Sequence, residues 1–454
     1  MRNCISLLAA LICTSVVSAA ERPNFVVIFA DDLGYGDLGC YGHPTIRTPN
    51  LDRMAREGMK FTQFYSAAEV CTPSRAALLT GRLPPRNGQC GKRRVYFPDS
   101  KGGLQADEIT IAELLKGQGY ATACLGKWHL GHLPQYLPAK HGFDYFYGTP
   151  YVNDMDRVPT SPKGKAAYAA PKSAYWNVPL MRNTEIIERP ANQNLFARRY
   201  SEEAVRFIHE NKDRPFFVYL AHNMPHVPLF ASDEFAGKSK RGLYGDTVEE
   251  IDSSVGKVLQ AIRDSKLDQK TLVVFTSDNG PWLMYNEQGG SAGLLREGKG
   301  STWEGGMREA GIAWWTGTVP AAVTSSELVS TLDLLPTFCA LAGIESPKDR
   351  TLDGYDVSQA MKGGKSPRNE MFFYRSYDLM AVRLGPWKAH FQTQAGYGQP
   401  QAEKHDPPLL FNLEVDPSES YNVAEKHPQV LAEIKTLVEK HQAGMKVAES
   451  QVDL

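Results

Sequence analysis

Beyond its first twenty residues, this 454-residue chain has no apolar run long enough to cross a bilayer, so no membrane span is expected. It also lacks an excess of either charge. There are 50 Lys and Arg against 51 Asp and Glu, a formal net charge of −1, with no basic face and no long charge run. That balance excludes a generic nucleic-acid binder or a protein held on anionic lipid. Recognition of an anion must therefore be local, built by a few cations in a pocket. There is no internal repeat and no Asn-x-Ser/Thr acceptor.

What is present begins with a targeting segment. Arg2 precedes an apolar run from Ile5 to Val17, and Ser18-Ala19-Ala20 offers small residues for cleavage, so residues 1–20 read as a secretory signal. Ile12 is too bulky before Cys13 for a lipoprotein site. The mature protein is expected to be soluble and exported, periplasmic or secreted, and the missing glycosylation acceptor favours a bacterial origin over a lysosomal one. Of seven cysteines, Cys4 and Cys13 leave with the signal; Cys40, Cys71, Cys90, Cys124 and Cys339 remain. An odd number in an oxidising compartment leaves one thiol unpaired.

Hydrophobic residues at 42% and charged residues at 22% are ordinary for a globular protein. The length suits one large domain and a smaller one. Apolar runs at 25–30, 121–125, 216–221, 272–276 and 312–315 read as buried parallel strands. Helical periodicity lies between them: Val248, Ile251, Val255, Val258, Leu259 and Ile262 share one face, as do Leu332, Leu335, Phe338 and Ala342 before Gly343. Alternating strands and helices predict an α/β domain, a large and mainly parallel sheet sandwiched by helices, over residues 21–365. A Pro-, Ala-, Tyr- and Lys-rich stretch at about 147–194 has no period and reads as an insertion, a lid or a substrate-facing excursion. After the break at Lys362-Gly-Gly-Lys, strand-like segments followed by a helix opened by Pro428 predict a C-terminal α+β domain over 366–454, an antiparallel sheet plus helix.

The polar clusters fall at strand ends. Asp31-Asp32 follows the first strand, Gly126-Lys127-Trp128-His129 the second, His222 and His226 the third, and Ser277-Asp278-Asn279-Gly280 the fourth. Open parallel sheets bind ligands beyond the carboxyl ends of their strands. Asp31, Asp32, Asp278 and Asn279 supply hard oxygen donors, which favour Ca²⁺ or Mg²⁺ over zinc. Either pair alone would read as a helix cap or a turn. Pro225 disfavours a helical i, i+4 pairing of His222 with His226, leaving His222 a structural or substrate-contact duty. His43, His132 and His141 lie in Gly/Pro-rich loops, where hydrogen bonding is the simpler role.

The most informative segment is Glu69-Val-Cys-Thr-Pro-Ser-Arg-Ala-Ala-Leu-Leu-Thr-Gly81. By itself it would fit a buried cysteine at a loop-to-helix junction with Pro73 in the first turn. Beside the other clusters it resembles the signature of the formylglycine-dependent sulfatases, of the arylsulfatase A and N-acetylgalactosamine-6-sulfatase type, within the alkaline phosphatase superfamily. The likeness runs from Pro23-Asn-Phe-Val-Val to the Asp416-Pro-Ser-Glu segment. It implies that Cys71 is oxidised to formylglycine before folding, by a formylglycine-generating or anaerobic sulfatase-maturing enzyme. That would leave four cysteines, enough for two disulfides or none. It also implies that Asp31, Asp32, Asp278, Asn279 and the modified Cys71 ligate calcium, with Mg²⁺ the alternative, and that Arg75 holds the formylglycine hydrate. Lys127 and His129 match Gly-Lys-Trp-His, His226 the Pro-His-x-Pro histidine, and Lys299 the lysine of Gly-Lys-Gly-Ser-Thr-Trp-Glu-Gly-Gly.

The implied activity is hydrolysis of an organic sulfate monoester, with a sulfated carbohydrate the preferred substrate. Such an ester is a strong-acid anion, so its oxygens need fixed positive charge from the metal, Arg75, Lys127 and Lys299. An ordinary serine nucleophile would be stranded as a stable sulfate ester, whereas a geminal diol can expel sulfate. The resemblance makes His129 the base for that step and His226 the acid for the leaving alcohol. Three positions depart from the pattern: Glu69 and Leu125 replace smaller residues, and Val152 stands where the family carries serine, so one sulfate-site hydrogen bond is missing or comes from Asn153. Two other readings stay open, a phosphate mono- or diesterase of the same superfamily and a non-catalytic binder of sulfated glycans.

Overall fold

The computed structural model describes residues 22–399 and 401–454; the secretory signal read at 1–20 lies outside the described residues. Eleven strands form one sheet: β1 (Asn24–Ala30), β2 (Met59–Tyr65), β3 (Ala121–Lys127), β4 (Tyr145–Thr149), β5 (Leu180–Arg182), β6 (Glu185–Glu188), β7 (Phe216–Ala221), β8 (Thr271–Ser277), β9 (Arg308–Trp314), β10 (Val323–Ser325) and β11 (Val329–Ser330). The order is β10-β2-β9-β8-β1-β7-β3-β4-β5-β6, with β11 paired to β2. Strands β8-β1-β7-β3-β4 run parallel, as continuous apolar runs buried on both faces require. The run at 312–315, read from sequence as another parallel strand, belongs to β9, which runs antiparallel to β8 and β2. A strand deep inside a sheet is covered on both faces whatever its direction, so its composition carries no polarity.

Side chains alternate across β1 and divide the core in two. Val26, Ile28 and Ala30 pack towards helices Phe196–Glu210 and Gly242–Asp264, while Phe25, Val27 and Phe29 pack towards helices Cys71–Thr80 and Leu334–Ala342. The helix Gly242–Asp264 buries the whole face read from its periodicity. Gly343 ends the helix Leu334–Ala342 at φ +67°, a left-handed cap that a side chain would strain. None of the helices in the described residues is long and apolar enough to cross a membrane.

Strands β12 (Glu370–Arg375), β13 (Asp378–Leu384), β14 (Trp387–Thr393) and β15 (Glu403–Asn412) form a second, antiparallel sheet in sequence order. One face holds the helix Pro428–Ala443 through Val430 and Ile434. The other packs Met371, Phe373 and Ala381 onto Tyr65 and Met307 of the large unit. Between 147 and 194 the chain adds β5 and β6 and wraps fully buried Trp176 in Tyr168, Tyr175 and Phe230. Cys40, Cys71, Cys90, Cys124 and Cys339 are all free thiols, so the described residues contain no disulfide.

Candidate active site

Because β1, β3, β7 and β8 are parallel neighbours, their carboxyl ends open at one edge of the sheet, where Asp31-Asp32, Lys127 to His129, His222 to His226 and Asp278-Asn279 converge. Cys71 is the first residue of helix Cys71–Thr80, whose ten residues are all buried. Val70 supplies no side-chain cap, so the helix presents its positive end to the same place. The Cys71 thiol donates to Asp31 Oδ1 at 3.5 Å and accepts from Lys299 Nζ at 3.6 Å.

Three buried acids are matched by three buried cations. Lys127 Nζ is 2.6 Å from Asp31 Oδ2, Arg75 Nη2 is 2.7 Å from Asp278 Oδ2, and Lys299 Nζ meets both Asp32 oxygens at 2.7 and 2.8 Å. Arg75 is held further by Nη1 donating to the Lys127 carbonyl at 3.0 Å. Burial raises the Asp31 carboxyl, but Lys127 and Arg75 overcome it and hold that carboxyl below its usual range. Burial, helped by the charges of Asp31 and Asp278, pushes Asp32 up to about 7 despite Lys299. Burial also drives the Cys71 thiol far above its ordinary value. Burial thus favours the neutral thiol over the thiolate at this position.

The two histidines are fixed as defined tautomers. His129 Nε2 lies 2.9 Å from the Tyr96 carbonyl, which can only accept, so Nε2 carries the hydrogen. Its Nδ1 is buried with no partner and keeps the lone pair. His226 Nδ1 donates to the Val227 carbonyl at 2.5 Å, leaving Nε2 3.6 Å from Asp32 Oδ2. Burial, with the charges of Lys127 and Arg75 on His129 and of Lys299 and Lys127 on His226, pushes both well below the usual histidine range. Asp32 and His129 have φ of 63° and 57°; left-handed non-glycine residues are costly and collect where surrounding structure over-determines them.

The group is suited to a divalent cation. Ligand atoms of Asp31, Asp32, Cys71 and His226 lie within 4.8 Å of one another, and Asn279 Oδ1 is buried without a partner while its Nδ2 donates to Asp32 Oδ1 at 2.8 Å. Asp278 stands beside them, Oδ1 accepting from the Asp32 N–H at 3.2 Å. Because Asp31, Asp32 and Asp278 are each already paired with a cation, a bound 2+ ion would shift the site towards positive charge, the sign an anionic ester needs.

Above Cys71 and Lys299 is a cavity of about 380 Å³. Several residues lining it had no signal in the sequence: Arg93, Arg94, Arg157, Trp282 and Tyr397. Tyr397 comes from the link between β14 and β15, far along the chain, and only the folded structure brings it to Trp282, with ring centroids 5.1 Å apart. Glu69, the unusual acid of the cysteine segment, is buried against Arg94 at 3.0 Å. Val152 lines the cavity. Asn153 does not replace the missing hydroxyl, because its Nδ2 is committed to Gln193 and the Pro228 carbonyl. His222 is buried against Ser254 and pushed down to about 4 by that burial. His43, His132 and His141 do not line the cavity: His43 Nδ1 accepts from Ile46 N–H, and the other two rings pack on Tyr151 and Trp128.

Residues 23–344 match the family model described as Sulfatase, and residues 366–454 match the one described as C-terminal region of aryl-sulfatase. The chain belongs to the sulfatase family. Arylsulfatase A of Homo sapiens is 45% identical to this sulfatase over 465 residues, covering 95% of the chain and 90% of that protein. The N-acetylgalactosamine-6-sulfatase of Canis lupus familiaris is 41% identical over 476 residues, covering 96% and 89%. Among solved structures, Ps i-CgsB in complex with k-i-k-neocarrahexaose is 35% identical, with TM-score 0.78 and 92% of each chain covered. The PsFucS1 sulfatase from Pseudoalteromonas sp. is 29% identical, with TM-score 0.83 over 94% of this chain and 92% of that one. The sulfatase is thus a sulfuric ester hydrolase.

Proposed function

We propose that this sulfatase is an exported enzyme that releases sulfate from a sulfated carbohydrate, with Cys71 as the precursor of its nucleophile. The setting of the Cys71 side chain carries this reading. Cys71 is buried at a helix start among Asp31, Asp32, Asp278, Arg75, Lys127 and Lys299, where burial disfavours the thiolate that a cysteine nucleophile would use. Converted to formylglycine by a maturing enzyme, the position would supply a hydrated aldehyde, whose second hydroxyl lets sulfate depart without a stable ester. Burial of the whole helix fits a conversion that precedes folding.

Asp31, Asp32, Asp278 and Asn279 would hold the divalent cation; their hard oxygens suit Ca²⁺ or Mg²⁺, and the likeness to the sulfatase family favours Ca²⁺. When bound, the ion supplies Lewis-acid polarisation of a sulfate oxygen. Lys127 and Lys299 would neutralise charge building on the sulfate oxygens, while Arg75, anchored on Asp278 and the Lys127 carbonyl, would hold the hydrate at residue 71. His129 Nδ1, with its lone pair fixed by the Tyr96 contact, is the atom suited to accept a proton. His226 Nε2 is the atom at which a proton for the leaving alcohol would be held. The cavity walls of Trp282 and Tyr397 suit a sugar ring, and the solved relative in complex with neocarrahexaose supports a saccharide. Residues 21–365 form the catalytic domain in this reading, and 366–454 complete the outer pocket.

Mass spectrometry of the tryptic peptide 61–75 from the native host tests the nucleophile; an unmodified thiol throughout an active preparation would sink it. Cys71→Ala should fold and release no sulfate. Calcium added to chelator-treated protein should raise its Tm as well as its activity. A preparation that releases phosphate from aryl phosphates faster than sulfate from aryl sulfates would favour the phosphoesterase reading.

A further inference from the structure

The cavity over Cys71 is larger than a sulfate group needs, and its outer wall carries cations that the sulfate site does not use. Arg157 is the clearest. Its backbone is fixed by a bridge to Trp176 and by Val158 N–H donating to the Tyr175 carbonyl at 2.9 Å. Its Nε donates to Ser161 Oγ at 3.0 Å and its guanidinium lies 6.0 Å from the Tyr168 ring. No carboxylate among the described residues pairs with it, and its Nη2 is buried with no hydrogen-bond partner. Of the two acids lining the cavity, Asp156 is taken by Arg189, at 2.6 Å, and Asp154 pairs with neither Arg157 nor Arg93.

Arg93 lines the same cavity from a different segment. It stacks at 5.0 Å on Phe97 and pairs only through Nη2 with the exposed Asp99, at 2.7 Å, so its Nε and Nη1 have no protein partner among the described residues. Arg94 beside it spends Nη2 on Glu69 and the Gly300 carbonyl. A partly buried guanidinium without an acid is an unfavourable arrangement that an incoming anion relieves, and its fork geometry matches carboxylate and sulfate oxygens.

Resting on the carbohydrate-sulfatase reading, we propose that Arg157 and Arg93 form a second anion subsite. The preferred substrate would then be a saccharide carrying, besides the scissile ester, another anionic group on the same or the adjoining ring. A second sulfate ester and a uronate carboxylate share this chemistry. Lys299, Lys127 and the metal would take the ester to be cleaved, the Trp282–Tyr397 wall would take the ring, and the two arginines would read the neighbouring charge.

The test compares four substrates: a neutral aryl sulfate, a monosulfated neutral disaccharide, a disulfated disaccharide, and a monosulfated disaccharide with a uronate. The wild-type enzyme should favour one or both doubly anionic saccharides at least tenfold in kcat/KM. Arg157→Gln and Arg93→Gln should each raise KM for those saccharides about tenfold, one charge-assisted hydrogen bond's worth. Both should leave kcat and aryl sulfate turnover unchanged, and Arg157→Lys should recover part of the loss. Arg93 is partly exposed and, among the described residues, its side chain meets only the Phe97 ring and exposed Asp99, so Arg93→Gln keeps the test open if Arg157→Gln melts early. The two doubly anionic arms separate a sulfate subsite from a carboxylate one. Equal losses on all substrates, no loss on any, or no wild-type preference for a second charge would each overturn the proposal. If the wild-type enzyme turned over phosphate but not aryl sulfate, the underlying sulfatase reading would fail instead.

Discussion

Lys299 joins two parts of the site through one ammonium group: Nζ lies 2.7 Å from an Asp32 oxygen and 3.6 Å from Cys71 Sγ. It also sits 4.3 Å from the Trp282 ring centroid, so the same cation borders the acid cluster, the residue-71 side chain and the cavity wall. Its charge is held in place rather than recruited, which is the condition for strong electrostatic stabilisation of a developing anion. Lys299→Ala is expected to lower kcat/KM for aryl sulfates by about 10²–10³. Steady-state sulfate release checks this; a loss below tenfold would remove Lys299 from the transition-state contacts.

The joint between the two sheets is ionic at its centre. Glu304 Oε1 lies 2.9 Å from Lys388 on β14, and Oε2 accepts from Tyr65 at 2.5 Å. Burial raises the Glu304 carboxyl, but Lys388, Arg308 and Arg383 overcome it and hold it at about 2. Its folded pKa is thus below the unfolded value, so its stabilisation is complete above about pH 4.5 and is lost as pH falls towards 2. The contribution at neutral pH is roughly 3 kcal/mol by linkage. Glu304→Gln should lower Tm at pH 7 and show a shallower fall in Tm between pH 5 and 3 than wild type. Parallel curves in thermal melts would show that Glu304 does not govern this joint.

Much of this was legible in the sequence because strand ends and chemistry coincide. Asp31-Asp32 and Asp278-Asn279 each follow an apolar run, and parallel pairing of β1 with β8 in register places them together without further information. The direction of β9 was not legible, since burial on both faces erases the alternation that would mark an edge or an antiparallel neighbour. The cavity wall was hidden for a different reason. Arg93, Arg157, Trp282 and Tyr397 come from four loops with no shared spacing, and their meeting depends on tertiary packing alone. Glu69 departs from the signature, and the Arg94 guanidinium 3.0 Å away balances its buried charge.

Gly126 explains how Lys127 reaches the acids. It has φ +103°, and a Cβ there would come within 1.9 Å of the Ala221 carbonyl oxygen on β7. Neither strand can yield, because Lys127 follows on one and His222 on the other. Gly126→Ala combines a strained backbone with a main-chain clash. It is expected to destabilise by about 3 kcal/mol or more, read as a lower urea midpoint at unchanged slope. A midpoint equal to wild type would mean that the two strands have slack at the site.

The C-terminal segment reaches back to hold a cavity loop. The Asp453 carboxylate accepts from the backbone N–H groups of Lys92 and Arg93 at 3.0 and 2.9 Å, and Gln451 N–H donates to the Gly88 carbonyl at 2.9 Å. Lys101 N–H donates to the Leu454 carbonyl at 2.9 Å, and Val452 is fully buried. These contacts fix the segment that carries Arg93 while touching none of the acids or lysines around Cys71. Deleting residues 448–454 should therefore free the Arg93 end of that loop, while Tyr96, whose carbonyl fixes His129, stays anchored by its N–H on Thr72 Oγ1 at 3.3 Å and its hydroxyl on Gln89 Oε1 at 2.8 Å. KM for an anionic saccharide is expected to rise about three- to tenfold, with kcat on a small aryl sulfate within about twofold of wild type and Tm lower by a few degrees. Asp453→Ala should reproduce part of the KM effect with less loss of Tm. A fall in aryl sulfate kcat as large as the rise in saccharide KM would show instead that the tail supports the helix Cys71–Thr80, and that its influence on Arg93 is incidental.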